Sequence, residues 1–173
     1  CAVYGERCSG TNYLENIISM NFDVNITWEY GWKHFFGFQD NALKKSDDTL
    51  FICIVRNLPD WINSFYRDKH HLPKNFLWLP RGAVSGLKLK NKKEMPEKNK
   101  INLFLNKEFW SQYGKEENTE KWHKPVVGRE IMVDRNIYTG KRYKNIFELR
   151  HTKIKWMLED LPNKVKNCIF IRY

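Results

Sequence analysis

The stretch Val3-Tyr4-Gly5-Glu6-Arg7-Cys8-Ser9-Gly10-Thr11-Asn12-Tyr13-Leu14-Glu15 decides how this chain is read. A short apolar strand breaks into a glycine-bounded loop, which then runs into a helix. Gly5 and Gly10 permit a sharp turn and a close backbone approach, and the amides that open the helix after Gly10 lack carbonyl partners of their own. Donors of that kind, aligned with the helix dipole, favour phosphate or sulfate. Four residues separate the glycines, as in the nucleotide-binding loop that continues with Lys and then Ser or Thr. Here the continuation is Thr11-Asn12, so the loop lacks the lysine that reaches the β- and γ-phosphates of a triphosphate. Taken alone, the spacing leaves an ordinary strand-to-helix turn open.

The run Leu50-Phe51-Ile52-Cys53-Ile54-Val55 is continuously apolar and bounded by polar residues, the pattern of a parallel strand buried on both faces. In triphosphate-cleaving enzymes such a strand often ends on an Asp that holds magnesium; here it ends on Arg56. Pro59 suits the first turn of a following helix and Asp60 complements its dipole. That helix directs Trp61, Ile62, Phe65 and Tyr66 to the core and places Ser64 eight residues after Arg56.

Around these two units the spacing predicts further alternation of strands and helices. Leu14, Ile17 and Ile18 recur at helical spacing from Thr11 to Ser19, with Tyr13 read as a core residue in preference to a base contact. The aromatic segment Val24 to Phe38 reads as a strand and its exit loop. Only Ile101 to Tyr113 looks helical between about 67 and 125, and this proline-interrupted region is expected to be an insertion or lid. Residues 131 to 143 read as an irregular arm turning at Thr139-Gly140. Asn145 is placed to cap a helix reaching Leu161, with Ile146, Leu149, Ile154, Met157, Leu158 and Leu161 apolar and Pro162 closing it. Cys168 to Ile171 reads as another buried strand. The fold expected is α/β, a three-layer parallel sheet flanked by helices.

A chain of 173 residues is one domain by size. It opens on Cys1 inside an apolar strand and ends at Tyr173 directly after another, so both ends read as cut through secondary structure. A formal net charge of +10 suggests an anionic ligand or partner. Between Arg67 and Lys100 ten basic residues face three acidic ones, a pattern that also fits a solvated surface run. Cysteines at positions 1, 8, 53 and 168 form no metal-ligand pair and no disulfide framework, which points to reduced thiols, a cytoplasmic setting and no metal site. No run of some 20 apolar residues is long enough to span a bilayer.

Two anion loops at the carboxyl ends of a parallel sheet suggest a ligand with two separated anionic groups. In these residues the chain resembles the sulfotransferase family, whose donor is 3′-phosphoadenosine 5′-phosphosulfate (PAPS). The family's phosphosulfate loop reads Lys/Arg-Ser-Gly-Thr-Thr, here Cys8-Ser9-Gly10-Thr11-Asn12. Its 3′-phosphate motif is an Arg ending a buried strand, Asn-Pro-like residues, then Ser eight positions on, here Arg56 to Ser64. Lys33-His34 sits where the family's cytosolic members carry a Lys-x-His segment with a catalytic histidine, and Ile171-Arg172-Tyr173 is similar to the start of a later strand. Cys8 departs from the pattern, because the family has a basic residue there.

The resemblance implies a P-loop-like architecture and transfer of a sulfuryl group from PAPS to a hydroxyl or amine, with a small molecule or a carbohydrate as acceptor. It implies that Arg7, Cys8, Ser9, Gly10, Thr11 and Asn12 hold the phosphosulfate, with Arg7 standing in for the missing cation, and that Arg56 and Ser64 bind the 3′-phosphate. His34 is the expected general base, with Glu6 or Asp40 as alternatives; His70, His71 and His123 read as surface residues. Sulfuryl transfer needs positioning and charge stabilisation more than covalent chemistry, so no metal is required. Rival readings are a P-loop nucleotide kinase and a non-catalytic basic module for polyanions. Nucleic acid is not the expected partner.

Overall fold

Side chains alternate along a strand, so Ala2 and Tyr4 must face one layer and Val3 the opposite one. The computed structural model, which describes residues 1–67, 97–112, 126–127 and 130–173, provides both layers. Its elements run β1 (Ala2–Gly5), α1 (Thr11–Asn21), α2 (Asp40–Leu43), β2 (Leu50–Val55), α3 (Leu58–Arg67), α4 (Glu97–Asn106), β3 (Val126–Val127), β4 (Glu130–Ile131), α5 (Ile146–Lys155) and β5 (Asn167–Arg172). The main sheet has three parallel strands in the order β1-β2-β5, with Val3 beside Ile52 and Ile52 beside Ile169. Parallel neighbours need crossover connections, which here carry α1 and α2, then α3 to α5.

On one face Leu14 and Ile18 of α1 cover Val3, Ile52 and Ile54. On the other, Phe36, Leu43, Trp156, Met157 and Leu161 cover Ala2, Tyr4, Phe51 and Cys53. A third cluster beside the sheet joins Trp61 and Phe65 of α3 to Phe104 of α4, to Phe109 and Tyr143, and to Ile146 and Leu149 of α5. Asn57 caps α3, its side-chain oxygen accepting from the Asp60 amide at 3.0 Å, and Asn145 caps α5 by accepting from Phe147 and Glu148. The turn at Thr139-Gly140 forms, with Gly140 donating to the Asn136 carbonyl at 2.7 Å.

Four local expectations are corrected. Residues 24 to 38 form no strand; their backbone instead bonds singly to β1 and the residue before it, Thr27 donating to Cys1 and Lys33 accepting from Gly5, while their rings wedge into the core. Tyr4 stacks on Phe36 at 5.0 Å, and left-handed turns at Gly31 and Gly37 break any extended run. β5 is not buried: Ile169 and Phe170 are 44% and 42% exposed, because β5 is an edge of the described sheet. α4 ends at Asn106, before Phe109, whose backbone bonds Tyr143 as an isolated bridge. The last helix continues as a π turn over Trp156–Asp160, which rotates the apolar face, so that Trp156 is buried and Leu158 is exposed.

Phe104 and Phe109, from the region read as a lid, are fully buried. Phe104→Ala is therefore expected to lower unfolding free energy by about 3–5 kcal/mol in a denaturant titration, the range for deleting a buried phenyl ring.

Candidate functional site

All three main strands deliver residues to one place at their carboxyl ends. β1 leads to Arg7 and Cys8, β2 to Arg56, and β5 to Tyr173, whose amide donates to the Val55 carbonyl at 2.8 Å. Between them lies a cavity of about 760 Å³ lined by Arg7, Cys8, Gly10, Thr11, Asn12, Tyr13, Trp28, Trp32, Lys33, His34, Arg56, Ser64, Arg67 and Tyr173. That size and mixture of rings and polar groups suits a nucleotide-sized ligand. Among the described residues that line it, four side chains are cationic and none is a carboxylate.

The loop geometry follows from its small residues. A side-chain carbon at Gly5 would meet Ser9 Oγ at 2.5 Å and the Ile54 carbonyl at 2.8 Å, so only glycine lets loop and sheet come this close. Cys8 (φ 62°) and Gly10 (φ 97°) are both left-handed, and together they turn the chain into α1. Within the turn the Ser9 amide donates to the Glu6 carbonyl at 3.2 Å, and at the start of α1 the Leu14 amide donates to the Gly10 carbonyl at 3.0 Å. Ser9 is turned inward: its hydroxyl donates to the Glu6 carbonyl at 2.7 Å and it does not line the cavity.

Arg56 points at the loop. Its Nη1 donates to Ser64 Oγ at 2.7 Å and to the Cys8 carbonyl at 3.3 Å, and its guanidinium lies 5.3 Å from the Tyr173 ring. Arg67 lies three residues after Ser64 on the same helical face and also lines the cavity. Neither Arg56 nor Arg67 has a carboxylate partner among the described residues.

Arg7 is held differently. Its Nη2 donates to Asp134 at 2.6 Å and to Ser111 at 2.6 Å, and its buried Nε has no partner among the described residues. Asp134 also binds Lys153. Burial works against ionisation of Asp134, but the two cations outweigh it and hold the carboxyl below its ordinary value. Arg7 thus forms a wall of the cavity with its charge largely neutralised from behind.

Lys33 brings a cation to the start of α1. Its ammonium donates to Asn12 Oδ1 and to Glu15 Oε2, the latter at 2.6 Å, and stands over the Trp28 ring at 5.8 Å. His34 Nδ1 lies 2.8 Å from the Gly5 carbonyl. A carbonyl only accepts, so Nδ1 carries the proton and Nε2 is left as an acceptor. Burial, and the nearby charges of Arg7, Lys153 and Lys33, hold the imidazole well below its ordinary pKa. His34 is therefore neutral at neutral pH. Asp40 is instead paired with Lys164, and Glu6 does not line the cavity.

The structure brings together Arg7, Cys8, Gly10, Thr11, Asn12, His34, Arg56 and Ser64, as the motifs imply, and leaves only Ser9 facing away. Tyr13 is not a core residue: it is 58% exposed on the cavity rim, 6.0 Å from the Tyr173 ring. Lys33 and Arg67 are additions. The signal for Lys33 was its place before His34, and for Arg67 its helical spacing from Ser64. Of the basic stretch 67 to 100, residues 68 to 96 lie outside the described residues, as do His70, His71 and His123. Among the described residues no helix is long and apolar enough to cross a membrane. No family model matches the chain, and no curated protein and no solved structure is similar enough to it to count as a match.

Glu6 gives a test of the wall behind the loop. Burial pushes its carboxyl up, against the pull of Arg150 and Lys153, from an ordinary 4.5 to about 8. Between those values the unfolded chain has lost the proton that the folded chain keeps, so this group's contribution to stability falls as pH rises. Glu6→Gln is expected to remove that fall, seen as a wild-type-minus-variant difference in unfolding free energy that shrinks from pH 4.5 to pH 8.

Proposed function

We propose that this protein is a PAPS-dependent sulfotransferase, of P-loop-like architecture, that moves a sulfuryl group to a hydroxyl or amine acceptor. The observation that carries the reading is the cavity at the strand ends, lined among the described residues by four cations and no carboxylate, with Arg56 hydrogen-bonded to both Ser64 and the Cys8 carbonyl. Those contacts support a 3′-phosphate subsite built from Arg56, Ser64 and Arg67. At the other end, the amides opening α1 and the Lys33 ammonium suit the phosphosulfate. Lys33 takes the role that the loop's basic residue has in the family, which explains how Cys8 is tolerated.

The chemistry asked of the residues is modest. The acceptor oxygen gives its proton to His34 Nε2 as it bonds to sulfur, and the bond from sulfur to the bridging phosphate oxygen breaks. Negative charge then gathers on that oxygen, where Lys33 and the α1 amides stabilise it. Trp28 and Trp32, which frame Lys33 and His34, offer flat apolar surfaces to the acceptor. Beyond Trp28 a second cavity of about 480 Å³, lined also by Glu15, Asn16, Ser19 and Thr27, gives a longer acceptor such as an oligosaccharide room for further polar contacts.

A nucleotide kinase is the second reading, favoured by Lys33, which restores a cation near a loop that lacks its own lysine. Against it, no described residue lining the cavity is a carboxylate that would hold a magnesium ion on a triphosphate. Magnesium-dependent binding of ATP, with none of adenosine 3′,5′-bisphosphate, would favour the kinase.

Calorimetric titration with adenosine 3′,5′-bisphosphate is expected to show binding that Arg56→Ala weakens by about 1.5–3 kcal/mol, the worth of hydrogen bonds to a charged group. Undiminished affinity in that variant would count against the donor assignment. His34→Ala is expected to lower kcat by about 10²–10⁴-fold, the usual contribution of a general base. The wild-type rate should stay level as pH falls from 7 to 6.5, because His34 remains neutral there.

A further inference from the structure

The two anion subsites sit on different parts of the chain, and one side chain outside the cavity holds both. Arg150 of α5 does not line the cavity. Its Nη1 donates to Glu6 Oε2 at 2.8 Å, and its Nη2 donates to the backbone carbonyl of Arg56. The same guanidinium lies 4.8 Å from the Trp61 ring, and Trp61 Nε1 donates to the Arg7 carbonyl at 2.8 Å. One planar cation therefore ties residue 6 of the loop to residue 56 at the end of β2. The indole packed on it ties residue 7 to α3, which carries Ser64 and Arg67.

We propose that Arg150 is a positioning residue that sets the distance between the loop and Arg56, so that a ligand with two anionic groups engages both subsites at once. The proposal rests on the reading of the cavity as a site for a doubly anionic nucleotide. Its physical basis is the rigidity of the guanidinium fork. Two N–H bonds from one plane fix both acceptors in distance and in orientation, which an ammonium on a flexible stem does not do. The gain from joining two anionic groups in one ligand depends on the spacing of their sites, because the second contact forms at high effective concentration only where the geometry allows it. Spacing has no such consequence for a ligand that fills one subsite.

The test compares one doubly anionic ligand with two singly anionic ones by calorimetry: adenosine 3′,5′-bisphosphate, adenosine 3′-monophosphate and adenosine 5′-monophosphate. Wild-type protein is expected to prefer the bisphosphate to either monophosphate. Arg150→Lys keeps the charge and removes the fork, and is expected to cost the bisphosphate about tenfold in affinity while both monophosphates change less than about twofold. Glu6→Ala removes the acceptor on the loop side of the same contact, and is expected to show the same selective loss to a smaller degree. An equal loss for all three ligands, which a merely structural role produces, overturns the proposal. So does unchanged discrimination in both variants. Wild-type protein that does not prefer the bisphosphate overturns the donor reading itself.

Discussion

Asp134, at 1% exposure, accepts from Arg7, Lys153 and Ser111, and the site depends on this buried carboxylate. Lys153 in turn donates to the carbonyl of His34. The four side chains come from the loop, the residues after α4, the turn after β4, and α5, and through Lys153 they reach the aromatic segment. None of these connections belongs to a strand ladder or a helix. Removing one partner from such a cluster leaves a charge buried without compensation, typically a loss of about 3–5 kcal/mol. The irregular aromatic segment, which has little regular backbone pairing of its own, keeps its place through this network and through rings such as Phe35, which lies 5.0 Å from the Arg7 guanidinium.

The network also divides the cations by task. Arg7 is paired with Asp134 behind the cavity wall, and Lys33 with Glu15 of α1, while the Lys33 ammonium also reaches Asn12 at the start of that helix. Arg56 and Arg67 lack such partners among the described residues, and the unbalanced positive potential lies at their end. On the proposed function, a ligand anion arriving there completes an interaction that the described residues leave open. At the loop end the backbone amides of α1 do comparable work with partial charges.

Much of this was legible in the sequence where local rules govern. The glycine spacing gave the loop, the continuous apolar run gave β2, and the interval from Arg56 to Ser64 put a cation and a hydroxyl one strand-to-helix turn apart. Legibility failed where distant partners decide. Nothing near Arg7 signals that its guanidinium meets Asp134, 127 positions on. Residues 24 to 38 have the aromatic content of a strand, yet their rings are used as wedges, a choice fixed by the space between β1 and Trp156. Cys168 to Ile171 has the composition of an interior strand, and only the order of strands reveals it as an edge. Ser9 shares its motif with residues that face the cavity, but the close approach at Gly5 turns its hydroxyl back on the Glu6 carbonyl.

On the proposed function, the reach of Lys33 across to Asn12 separates two properties usually supplied by one short segment: the shape that receives an anion and the charge that attracts it. Here the turn keeps the shape, and a neighbouring stretch of chain lends the charge. The turn itself has less latitude at position 5, where even a methyl group would meet Ser9 Oγ at 2.5 Å and the Ile54 carbonyl at 2.8 Å.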